Sequence, residues 1–146
     1  MPASRRVAVM LAGLWAGGLL AIAAISAPAA FANAATEVAG RIAGRMFLME
    51  ARIGLAIAVA LVVLHRMQLR RAAGGQSGSL FNADLMLVLG AIFCTVAGYF
   101  GVQPMLPAAR AGEGALSFGT LHAASVVFYA IKTLLVLSLS WRLSAR

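Results

Sequence analysis

Val7–Phe31 reads VAVMLAGLWAGGLLAIAAISAPAAF, a run in which no position carries a charged side chain. A helix needs roughly 20 such residues, at a rise of about 1.5 Å each, to cross the hydrocarbon core of a bilayer. Three further runs qualify, at about Phe47–Arg66, Asp84–Gln103 and Ser117–Trp141. Hydrocarbon offers no partner to bare backbone groups, so each run is expected to be a helix. Two-residue alternation is absent, which argues against a membrane β-barrel. The expected fold is all-α: one integral membrane domain, a bundle of four transmembrane helices in two hairpins.

Composition points the same way. Of 146 residues, 62% are hydrophobic and 11% charged, with a mean hydropathy of +0.94. A soluble domain carries about a quarter charged residues. These polar side chains cannot coat a globule in water, which excludes a cytosolic enzyme, a disulfide-stapled secreted module and a disordered chain. The lone cysteine, Cys94, permits neither an intrachain disulfide nor a thiolate-rich metal site.

The net charge of +8 gathers at the ends of the runs. If the chain crosses four times, Arg5, Arg6, Arg66, Arg70, Arg71, Arg142 and Arg146 fall on one side. Arg41, Arg45 and Arg110, partly offset by Glu37 and Glu113, fall on the other. The positive-inside rule then places both termini in the cytoplasm. The arginines are read as orienting charges that meet anionic headgroups, not as a nucleic-acid surface. Ala30-Phe31-Ala32 before Asn33 imitates a secretory cleavage site, but the apolar run is longer than the roughly 7–15 residues of a signal peptide. The first helix is therefore expected to be retained; an intact mass lacking residues 1–32 would contradict this.

Between the runs, Arg66–Asn82 is basic and then Gly/Ser-rich, and is expected to be a flexible joint between hairpins. Pro104–Gly114 is expected to be irregular, and Pro28 to kink or end the first helix. The two hairpins share a proline near the outer turn, without a residue-level repeat. Glu37, Arg41 and Arg45 recur every four residues, so an interfacial helix over about residues 35–46 should lead into the second span. Small residues at the same interval, Gly13 with Gly17, Gly40 with Gly44 and Gly54 with Ala58, suit close helix packing, within one bundle or across a homo-oligomer. Trp141 is expected to anchor at the interface and Trp15 to pack inside.

Ionisable groups at membrane depth cost at least a few kcal/mol, so each needs a partner or a purpose. Counting from span centres puts Glu50 and Arg52 roughly 6–9 Å outside the midplane, with Tyr99 and His122 at roughly 10 Å. Lys132 falls a few ångströms to the inner side. Glu50 and Arg52 lie about 200° apart around their helix and do not face one another. Glu50 with His122 or with Lys132 is the expected pair, and Asp84 is expected to meet Arg66, Arg70 or Arg71. Two uses are open: a hydrogen-bond network fixing helix register, or a polar pocket for a cation, proton or small ligand. His122 could also ligate a metal, or a haem with a methionine as second axial ligand. His65 lies too far from it in depth to share an ion. Cys94 reads as core packing. No phosphate loop, H-E-x-x-H motif or nucleophile elbow supports an enzyme.

Two stretches carry a family resemblance. The first holds Leu14-Trp15-Ala16-Gly17-Gly18-Leu19-Leu20, Ala27-Pro28-Ala29-Ala30-Phe31 and Val38-Ala39-Gly40-Arg41-Ile42-Ala43-Gly44-Arg45-Met46-Phe47. The second is Phe118-Gly119-Thr120-Leu121-His122-Ala123-Ala124-Ser125. In this order they resemble the transmembrane-protein-205-like family, whose bacterial branch is a domain of unknown function. The resemblance implies a small four-helix membrane protein, here of the bacterial inner membrane. It draws attention to Trp15, Gly17, Gly18, Pro28, Phe31, Gly40, Gly44, Phe47, His122 and Ser125. Where such relatives often carry Asn, this chain has Tyr129. Three functional readings remain open: small-solute or ion handling through the patch of Glu50, Arg52, Tyr99, His122, Ser125 and Lys132; haem or metal binding; or an accessory subunit packed on a larger membrane complex.

Overall fold

The computed structural model describes residues 3–72 and 82–145. Its helices are α1 (Ala3–Ala21), α2 (Ala27–Asn33), α3 (Thr36–Ala72), α4 (Ala83–Thr95), α5 (Leu106–Arg110) and α6 (Phe118–Ser144). A π turn over Ile22–Ser26 joins α1 to α2, and another over Val96–Gly101 extends α4. Among the described residues, four helical segments are long and apolar enough to cross a membrane: Ala3–Asn33, Thr36–Arg71, Ala83–Arg110 and Phe118–Ser144. α1 packs on α3, α3 on α4, α4 on α6 and α6 on α1, closing a four-sided bundle.

Both π turns have a readable cause. Proline lacks an N–H and its ring crowds the carbonyl four residues earlier, so an α-helix entering a proline must widen or break. Four residues before Pro28 is Ala24, and four before Pro104 is Phe100; each lies inside a π turn. Ala27 donates its N–H to the Ile22 carbonyl, one residue beyond the α-helical partner. Pro28 thus widens the helix without ending it, and helix resumes to Asn33. Beyond Pro104 the chain is also less irregular than its two prolines suggest. A 3₁₀ turn, Gln103–Met105, passes into α5, because Pro104 and Pro107 both occupy first-turn positions where no N–H is needed.

The charged stripe of Glu37, Arg41 and Arg45 forms the opening turns of α3 and runs unbroken into the second span. At 37 residues α3 is about 55 Å long, far more than a bilayer core requires, so charged turns extend past the apolar section at both ends. Its far end includes Arg66–Ala72, which are helical; the Gly/Ser-rich remainder of the expected joint lies outside the described residues. Local caps mark the two later spans. Asn82 accepts from the Leu85 N–H at 2.9 Å, and Ser117 from the Thr120 N–H at 3.2 Å.

The bundle is apolar outside and selectively polar within. Leu14, Ile25, Phe93 and Leu134 are each at least 64% exposed, as lipid-facing side chains should be. The core is built from Ala8, Ala12, Trp15, Ala16 and Leu19 of α1 against Ala58, Leu61, Val88, Ala91, Val136 and Leu139. So many alanines let the helices approach closely, which matters where lipid is as apolar as the side chains. Arg5 donates to the Leu143 carbonyl at 3.5 Å, so the two ends of the described chain are neighbours. Beside them Asp84 is bonded by Arg142 at 2.8 Å, an α6 partner that the three expected α3 arginines did not include.

Small residues divide sharply by surroundings. A Cβ on Gly17, Gly18 or Gly44 would meet nothing within 4 Å, one on Gly13 only Ser140 at 3.8 Å, and one on Gly40 only Arg110 at 3.8 Å. Close approach occurs at Gly54, one of the expected positions, and at Gly98, which no interval marked. At Gly98 a Cβ would stand 2.5 Å from the Phe128 Cβ, and at Gly54 2.8 Å from Trp15 Nε1.

Candidate functional site

Glu50 and Lys132 lie inside the bundle at 8% and 3% exposure. The Lys132 ammonium donates to Glu50 Oε2 at 2.6 Å. Trp15 donates from its indole nitrogen to Glu50 Oε1 at 3.3 Å. Three spans meet at this carboxylate, since Trp15 comes from α1, Glu50 from α3 and Lys132 from α6. Gly54, one turn beyond Glu50 on α3, makes the meeting possible: a Cβ there would also stand 3.0 Å from Glu50 Oε1. The ammonium further sits 4.9 Å from the Tyr129 ring centre, a cation–π distance. The Tyr129 hydroxyl donates to the Leu19 carbonyl at 2.9 Å, tying α6 to α1 just ahead of the first π turn.

The pair borders a groove of about 600 Å³. Its walls come from all four spans: Leu20, Ala23 and Ala27 from the first, Phe47 and Glu50 from α3, Cys94, Thr95, Gly98, Tyr99 and Gln103 from the third, and α6 from His122 to Leu137. Both π turns contribute, through Ala23 on one side and Gly98 and Tyr99 on the other. Such turns frequently occur at functional sites, where the widened backbone re-aims side chains. The volume falls within the range of small-molecule sites, and the mixture of apolar walls with a few polar groups is typical of them. Leu20, Val126 and Leu134 line the groove yet are 45%, 53% and 64% exposed, so it opens sideways between helices. A second hollow beside His65, Gln68 and Asp84 measures about 20 Å³, room for about one water.

The sequence candidates separate along this groove. Glu50, Tyr99, His122, Ser125 and Lys132 all line it. Glu50 pairs with Lys132, the second of its two expected partners. His122 instead lies exposed, its ring stacked nearly parallel on Phe118 at 5.8 Å. The Ser125 hydroxyl is buried on the groove wall with no hydrogen-bond partner among the described residues. Arg52 is the exception: it is exposed and not part of the lining, as its position two residues from Glu50 requires. For a metal, no group of three His, Cys, Asp or Glu side chains gathers among the described residues. Sequence reasoning did not place Trp15, Gln103 and Thr133 at the site. An indole N–H one helix away leaves no local spacing signal, although Trp15 stood out as a deep tryptophan.

A family described as a domain of unknown function (DUF4149) matches residues 10–115, which include every groove residue except those on α6. No curated protein and no solved structure matches the chain.

Proposed function

The chain belongs to the DUF4149 family, and from that premise we propose that it is a solute-handling protein of the bacterial inner membrane, with both termini cytoplasmic and the spans in two hairpins. The likeness to the transmembrane-protein-205-like family belongs to the same proposal. In this reading a small solute occupies the lateral groove and meets the Glu50–Lys132 pair on its inner wall. The observation that carries the reading is the pair itself. Two charges held between apolar helices are costly unless they bond well to each other, and a purely structural contact of that size is served as well by hydrophobic side chains. Here the pair borders a cavity that two proline-driven π turns help to shape.

Orientation has a direct check. Reporters fused at Gly74 and at the carboxyl end should report the same, cytoplasmic face, and one at Gly112 the opposite face; Gly74 and the carboxyl end on different faces would end the four-crossing layout. Occupancy is tested on protein extracted from its own membrane in mild detergent. Native mass spectrometry should find a retained small molecule on the wild type, and its loss in Ala130→Trp, which fills an exposed stretch of the groove wall. Glu50→Gln combined with Lys132→Met removes both charges together and should also empty the groove. Retention by both variants would remove the groove from the function.

A further inference from the structure

α6 presents a polar stripe to the groove. His122, Ser125, Tyr129 and Lys132 all line it, at steps of three and four residues that keep them on one helix face. Two of them hold donors that the bundle leaves unspent. The Ser125 hydroxyl is buried with no hydrogen-bond partner among the described residues. The Lys132 ammonium has three N–H groups. Among the described residues it gives one to Glu50 Oε2 and faces the Tyr129 ring at 4.9 Å, so at least one more is unspent. Buried donors without acceptors are costly, so a guest that supplies acceptors gains from both.

Charge and shape narrow the guest. The one carboxylate and the one ammonium of the lining are bonded to each other at 2.6 Å. The remaining polar groups, among them Tyr99, Gln103, Ser125 and the exposed His122 ring, carry no permanent charge. An ion entering the groove would meet no free counter-charge, which favours a neutral guest. Aromatic side chains line the groove from three spans: Phe47 from α3, Tyr99 from the third, and Phe128 and Tyr129 from α6. Such rings pack best on a planar π system. Ser125 and Lys132 are two turns apart, about 10 Å along α6. A six-membered ring with carbonyl oxygens on opposite edges, roughly 5 Å apart, spans about that distance once each oxygen accepts a hydrogen bond of about 2.8 Å.

Resting on the solute reading above, we infer that the groove holds the neutral ring of a para-quinone, one carbonyl oxygen accepting from Ser125 and the other from Lys132, with the ring between the aromatic walls. A hydrocarbon substituent on that ring leaves sideways over the exposed Leu20 and Val126 and continues in lipid.

The test uses the full chain in phosphatidylcholine nanodiscs, with binding counted above that of protein-free discs. The probes are duroquinone (a fully methylated benzoquinone), durene, which has the same ring and methyl groups without the oxygens, and trimethylbenzoate, an anion of similar size. Duroquinone should bind about tenfold tighter than durene, from two hydrogen bonds to buried donors. Trimethylbenzoate should not bind above the protein-free level. Ser125→Ala and, separately, Glu50→Gln with Lys132→Met should each lower duroquinone affinity about threefold and leave durene binding unchanged. Thermal stability should be the same in Ser125→Ala as in the wild type, because the hydroxyl it removes bonds nothing among the described residues. No binding of duroquinone, equal affinity for duroquinone and durene, or tighter binding of trimethylbenzoate would overturn the quinone inference while leaving the groove reading in place. So would a duroquinone affinity that survives either set of substitutions. Ring binding that Ala130→Trp does not reduce would overturn both readings together.

Discussion

Glu50→Gln is expected to destabilise the bundle by about 3–5 kcal/mol, because it breaks a buried ion pair by removing one partner. The glutamine keeps the shape and still accepts from Trp15, but it leaves the Lys132 ammonium buried with only the Tyr129 ring, 4.9 Å away, to meet its charge. A bare cation at membrane depth costs a few kcal/mol even after local relaxation. Adding Lys132→Met to the same chain should recover most of the loss, since a matched apolar replacement of a buried pair is often neutral. Unfolding in mixed detergent micelles measures both variants, and the coupling is the departure from additivity. If the single and double variants prove equally stable, the carboxylate and ammonium are not neutralising one another inside the bundle.

Gly98→Ala should cost about 1–3 kcal/mol although it adds one methyl group. That methyl would stand 2.5 Å from the Phe128 Cβ, an atom fixed to the α6 backbone, so the third span and α6 must move apart. Two neighbouring cases set the scale. At Gly90 the nearest obstacle is Leu135 Cδ1 at 3.0 Å, the far end of a flexible side chain that can turn away. At Gly17 nothing lies within 4 Å, so alanine should be tolerated within about 0.5 kcal/mol, with helix propensity in its favour. Thermal unfolding of the three variants should rank Gly98→Ala well below the others. A Gly98→Ala protein as stable as Gly17→Ala would mean that the third span and α6 do not touch there.

The spans were legible because lipid imposes one dominant rule, apolar length, and four stretches obey it. The ionisable site was partly legible for the same reason: Glu50 and Lys132 stood out as charges in apolar runs, and the two-residue step to Arg52 already put that side chain on another face. What spacing along one helix does not carry is which helix stands opposite. Small-residue intervals drew attention to Gly13, Gly17, Gly40, Gly44 and Gly54; of these Gly54 is a tight approach, against Trp15, while the other tight one, Gly98 against Phe128, carried no such interval. The π turns had a local signal in Pro28 and Pro104. Reading it required asking which carbonyl each ring crowds rather than whether the helix ends.

On the proposed solute reading, a groove whose rim is formed by Leu20, Val126 and Leu134 facing outward between helices would be filled from a two-dimensional reservoir. Filling then follows the mole fraction of the guest among its neighbouring lipids. Adding buffer to loaded vesicles would leave that fraction untouched, whereas fusing them with empty ones would drain the protein.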